Sequence, residues 1–136
     1  MKRRMLLGYQ VLSGLSDSAT GVLLIVAPAW TLRVMGLQAS PDALPFLSYI
    51  GAFVLSVGVA CLYGGFLVSR GGSTQKLEVV WLLTAITRGI VAVFITSRVV
   101  SGMLETGWIT VAVSDGAFAL VQAIGLWKGW LADATA

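Results

Sequence analysis

Of 136 residues, 57% are hydrophobic and 11% are charged, and the mean hydropathy is +0.91, whereas about a quarter of the residues of a soluble domain are charged. Nine basic and six acidic residues leave a formal charge of +3, there is one cysteine, Cys61, and there is no histidine. This composition predicts a membrane protein, and it excludes a disulfide framework within the chain, histidine-ligated haem and zinc sites that use histidine.

Four spans of about 20 residues with short connections would use nearly the whole length. The expected architecture is an all-α membrane protein, a four-transmembrane-helix bundle forming one integral membrane domain over residues 1–136, with no room for a separate soluble catalytic domain. The chain opens with Met1-Lys2-Arg3-Arg4, and from Met5 to Pro28 its sole charge is Asp17. A secretory signal would also begin this way. Gly8, Tyr9, Gln10, Ser13 and Gly14 interrupt the compact apolar region that a signal requires, and the apolar pattern runs on to Trp30, so a first span over 5–28 is the reading adopted. Trp30 to Leu37, with Arg33, reads as a short amphipathic turn in the interface, and Ser40-Pro41-Asp42 with Pro45 reads as a loop.

The second span, 46–69, carries no charge. Along it Ala52, Ser56, Ala60 and Gly64 recur at every fourth position, a small-residue stripe of the kind that lets helices pack closely in lipid, within the bundle or across a dimer. Arg70 to Lys76 is a polar connection. The third span, 77–100, has Arg88 at its middle and Arg98 near its far end, and after the turn at Ser101-Gly102 the fourth span, 108–127, contains Asp115.

Four spans put both termini on one side of the membrane. Lys2, Arg3, Arg4, Arg70, Lys76 and Lys128 fall on that side, and Arg33 and Arg98 on the other, so the positive-inside rule predicts cytoplasmic termini. Trp30 and Trp108 at the outer ends, and Trp81, Trp127 and Trp130 at or near the inner ends, fit an aromatic belt.

At a rise of about 1.5 Å per residue, Asp17, Arg88 and Asp115 lie within roughly one helical turn of the same depth, near the midplane. A charge at the centre of a span costs about 2.5–3.5 kcal/mol on the insertion scale, which favours three that face inward and pair. Arginine keeps its proton and needs an anionic partner; an aspartate can be neutralised. One aspartate would compensate Arg88, and the other would share the guanidinium or hold a proton until a cation replaces it. Which aspartate takes which part is open at this level. Ser16, Ser18, Thr84, Thr87 and Ser114 flank the three charges and would extend the cluster, unless each bonds its own helix. Tyr9, Tyr49, Tyr63 and Gln122 are further polar candidates.

No phosphate-binding loop is present, and a Ser-His-Asp or Cys-His arrangement is impossible without histidine. Two carboxylates beside an arginine make a poor divalent-metal site. No catalytic residue, metal or cofactor is therefore expected, and no nucleic-acid partner.

Pro28-x-Trp30-x-Leu32 followed by Met35-Gly36-Leu37, together with four short spans and a basic amino terminus, resembles the small bacterial DoxX-like four-helix membrane families. That resemblance implies a bacterial inner-membrane bundle with at most an accessory role. From the residues themselves the leading expectation is a polar, proton- or cation-responsive site used in transport or small-molecule binding, in a homo-oligomer packed on the small-residue stripe. The rival expectation is a non-catalytic accessory or interaction subunit of a larger membrane complex, in which the charges lock the fold.

Overall fold

The computed structural model describes residues 2–135; Met1 and Ala136, the ends of the basic leader and of the tail read above, lie outside the described residues. The described helices are α1 (Arg3–Val26), α2 (Pro28–Val34), α3 (Leu44–Ser69), α4 (Thr74–Val100), α5 (Ile109–Trp127) and α6 (Trp130–Thr135), with single 3-10 turns before α3 and α5. Four of them, α1, α3, α4 and α5, are long and apolar enough to cross a membrane. The segment expected to be an interfacial turn is a helix of its own. Pro28 sits in the first turn of α2, where a missing N–H costs nothing, and Gly36, at φ +74°, ends that helix as Leu37 N–H bonds the Leu32 carbonyl at 2.8 Å. Its Thr31 and Leu32 are buried while Arg33 is exposed.

α1 packs along α3 and α4 packs along α5, and these are the two most extensive helix contacts. The first is a glycine seam. Gly14 and Gly21 of α1 meet Leu62, Leu55 and Gly51 of α3, and a Cβ added at Gly51 would stand 2.8 Å from the Gly21 carbonyl oxygen. Such backbone approach is how membrane helices gain packing energy where the hydrophobic effect is absent. The stripe read from the sequence is not this seam. Ala52 and Ser56 are exposed, Ala60 is half-buried and only Gly64 is buried, because a spacing of four residues advances about 40° per step around a helix of 3.6 residues per turn. The face that meets α1 therefore begins one position earlier, at Gly51, and continues through Gly58.

The two hairpins join at the end where α1 begins, called here the proximal end. Leu6, Leu67, Val68, Leu77, Trp81 and Leu131 form a buried cluster there, drawn from α1, α3, α4 and α6. Trp81 is fully enclosed, so it belongs to the core and not to the interfacial belt. Arg3 adds a polar clamp: its Nε donates to the Val68 carbonyl at 3.1 Å and its Nη2 to that of Ser69 at 2.9 Å, placing a cation at the C-terminal end of α3, where the helix dipole favours one. At the distal end Leu32, Leu37 and Leu47 pack with Trp108. Between the two ends, long side chains fill the space between α1 and the α4–α5 pair.

The seam makes a direct forecast. At Gly58 a Cβ would lie 2.9 Å from the Gly14 carbonyl oxygen, whereas nothing stands within 4 Å of one at Gly8. Gly58→Val is expected to lose at least about 1–3 kcal/mol through overpacking, and Gly8→Ala to be neutral or slightly stabilising. Thermal unfolding in detergent micelles reads both.

Candidate functional site

On α4 the buried residues Leu77, Trp81, Thr84, Arg88 and Ile95 recur at helical spacing, so one continuous stripe carries a tryptophan, a hydroxyl and a guanidinium into the interior. Asp17 approaches from α1 and Asp115 from α5. Arg88 Nη1 donates to Asp115 Oδ1 at 2.9 Å, and Arg88 Nη2 donates to Asp17 Oδ2. Both carboxylates thus share one guanidinium, each on its own nitrogen, and neither is spare. The Arg88 Cζ also lies 4.7 Å from the centroid of the Phe118 ring, whose π face favours a cation. The Cys61 thiol is buried on α3.

Exposure divides the three charges. The Arg88 side chain is 3% exposed, those of Asp17 and Asp115 16% and 21%, so the cation is sealed while the carboxylates keep an open side. A shallow groove between α4 and α5 in the distal half, lined in part by Ala92, Thr96, Ala112 and Gly116, begins one residue from Asp115. Among the described residues Arg88 is the only cation ion-paired with either aspartate. Two ionised carboxylates against one guanidinium leave one negative charge at the centre of the spans.

A second, uncharged layer lies two turns nearer the proximal end. Gln10, Trp81 and Gln122 are each fully buried. Each is seven positions from a member of the charged layer, Asp17, Arg88 and Asp115 respectively, which corresponds to about 10 Å along the same helix face. Thr84 stands between the layers. Its Oγ1 donates to the Val80 carbonyl at 2.7 Å and accepts from Gln122 Nε2 at 2.7 Å. The Tyr9 ring lies 5.3 Å from Trp81 and 5.7 Å from Phe118 between centroids, and the Tyr9 hydroxyl donates to the Phe118 carbonyl at 3.3 Å. Gly64 and Gly125 make the room: a side chain at the first would strike the Gln10 amide, and at the second the Trp81 ring. Both amide atoms of Gln10, Trp81 Nε1 and Gln122 Oε1 have no hydrogen-bond partner among the described residues.

Of the flanking hydroxyls singled out in the sequence, Thr84 and Ser18 turn inward, and the Ser18 Oγ is buried without a partner among the described residues. Ser16, Thr87 and Ser114 are exposed, and Thr87 and Ser114 bond the carbonyls of Leu83 and Val111 on their own helices, the usual outlet for a hydroxyl that faces outward from a helix. These three do not extend the cluster. Tyr49 and Tyr63 are exposed as well. Gln10, read only as an interruption of apolar sequence, and Trp81, read as a belt residue, are the members missed. The seven-residue offset from the charged positions was the available signal, since residues two turns apart share a helix face.

No protein-family model, curated protein or solved structure matches the chain. Fold and site therefore define a class: a four-span helical membrane protein whose buried Arg88 is salt-bridged to Asp17 on one hairpin and Asp115 on the other.

Removing one side of a buried ion pair strands the other charge, which typically costs about 3–5 kcal/mol. Arg88→Met should destabilise the protein by about that amount, and adding Asp17→Asn and Asp115→Asn to it should restore a large part of the loss. Denaturation in mixed micelles, followed by far-UV circular dichroism, measures each. If the triple variant were no more stable than Arg88→Met, repulsion between stranded carboxylates would not be the cause.

Proposed function

We propose that the Asp17–Arg88–Asp115 cluster is a proton- or cation-responsive site through which the protein binds or carries a small solute across the membrane. The observation that carries this reading is that two carboxylates share one guanidinium, so that the cluster bears a net negative charge whenever both are ionised. An uncompensated charge in the hydrocarbon costs several kcal/mol, about 2.5–3.5 on the insertion scale. A proton or a monovalent cation on the open side of the aspartates removes that cost, so occupancy of the site is coupled to the ionic conditions that reach it. The partial exposure of both carboxylates, beside a sealed arginine, supports the same reading, because the group that must exchange is the accessible one.

The distribution of basic residues supports cytoplasmic termini and a cytoplasmic 70–76 connection. The likeness of the Pro28 to Leu37 segment to DoxX-like families supports a bacterial inner membrane. A second reading, a non-catalytic accessory or interaction subunit of a larger membrane complex with a structural charge cluster, is supported by the outward placement of Ala52 and Ser56. Small residues on a lipid-facing helix surface suit contact with another helix.

The discriminating experiment reconstitutes the full chain in liposomes that trap a pH-sensitive dye and imposes a potential with potassium and valinomycin. The wild type is expected to acidify the lumen faster than protein-free liposomes, and Asp17→Asn or Asp115→Asn to abolish the difference while remaining folded. Equal rates for wild type and both variants, with only thermal stability altered, would sink the transport reading and leave the accessory one.

A further inference from the structure

We propose that Gln10, Trp81 and Gln122 hold a small cluster of water molecules among α1, α4 and α5, and that this cluster exchanges protons with the charged layer. The second half of the proposal rests on the function proposed above; the first half does not.

The layer is fully buried on three helices, and these of its polar atoms are without partners among the described residues: Gln10 Nε2 and Oε1, Trp81 Nε1 and Gln122 Oε1. In a bilayer no bulk solvent relieves such groups. The set contains two donors, the Gln10 amide nitrogen and the indole, and two acceptors, the oxygens of the two glutamines. A bound anion would call for donors throughout and a bound cation for acceptors throughout. A neutral molecule that both donates and accepts would satisfy all four, and with the three side chains fully enclosed the smallest such molecule, water, is the one we assign; a buried water takes two to four polar partners. The Gln10 amide lies against Gly64 of α3, the Trp81 ring against Gly125 of α5 and beside Tyr9 of α1, and Gln122 bonds Thr84 of α4, so all four spanning helices enclose the layer.

The layer is also continuous with the charges. Thr84 bonds Gln122 and sits one turn from Arg88 on α4. Ser13, one turn from Asp17 on α1, is fully buried. Arg88 Nε is buried and has no partner among the described residues either, which carries the set of hydrogen-bonding groups to the guanidinium that binds both aspartates. Along hydrogen-bonded waters a proton moves without net chemistry. Each oxygen gains an O–H bond on one side as it releases one on the other, and one proton arrives at a carboxylate for each that enters.

The test is radiolytic hydroxyl-radical labelling of the purified full-length protein in nanodiscs, read by mass spectrometry. Radicals formed from bound water oxidise the side chains that hold it, so Trp81 is expected to be labelled despite its burial, and the labelling to fall several-fold in the Gln10→Leu/Gln122→Leu double variant. Trp81 unlabelled in the wild type, or labelled equally in the double variant, overturns the water site; the wild-type result stands even if that variant does not fold, and Gln10→Met and Gln122→Met taken singly give the same comparison. Dye-loaded liposomes test the relay: proton flux should fall several-fold in the double variant, and unchanged flux overturns that half. Trp81 labelled in a wild type that moves no protons leaves the water site standing and removes the transport reading instead.

Discussion

A guanidinium that cannot lose its proton sits in the middle of an apolar span, and the interior of this protein is arranged around that fact. Arg88 needs anions at its own depth. It finds Asp17 on α1 and Asp115 on α5, helices that belong to different hairpins, so the ion pairs connect the two halves of the bundle near the middle of their length. The Phe118 ring covers the cation from a further side. Besides the Tyr9 hydroxyl on the Phe118 carbonyl, the halves are held together by apolar clusters at the ends, around Trp81 and Leu131 proximally and around Leu32 and Trp108 distally.

Within each hairpin the physics differs. α1 and α3 are brought into backbone contact by glycines at 14, 21, 51 and 58, a close seam that gains dispersion energy and leaves no room for a side chain at those four positions. Between the hairpins the contacts are made instead by long side chains: Tyr9 reaches Trp81 and Phe118, and Arg88 reaches Asp17. Small residues on one side of α1 and large polar ones on another are both departures from a uniformly apolar span. They explain why the first span looks so unlike a signal sequence: Gln10, Ser13 and Gly14 are all buried.

The two layers divide the polar chemistry. In the charged layer every guanidinium Nη has a carboxylate, and what is left over is a charge. In the layer two turns away there is no charge, and what is left over is hydrogen-bonding capacity at Gln10, Trp81 and Gln122. An excess of charge calls for a proton or cation and an excess of hydrogen-bonding groups calls for a neutral partner.

Hydropathy and length alone were enough to mark four spans and the three charges inside them, because a bilayer forces about 20 apolar residues per crossing and makes each exception conspicuous. The common depth of Asp17, Arg88 and Asp115 was legible for the same reason: helical rise converts position into depth without knowledge of neighbours. Rotation about each helix axis is a property of packing, and there the sequence was ambiguous. Ala52 and Ser56 could face in or out, Trp81 could be belt or core, and Thr87 could join Thr84 or turn away from it. Tertiary structure decided these by the contacts each face makes: Gly51 and Gly58 against α1, Trp81 against Leu6 and Leu77, Thr84 against Gln122. It also decided that Arg88 takes both aspartates, since a fork with two outward nitrogens between two helices can serve one carboxylate on each side, a geometry that exists only once the hairpins have come together.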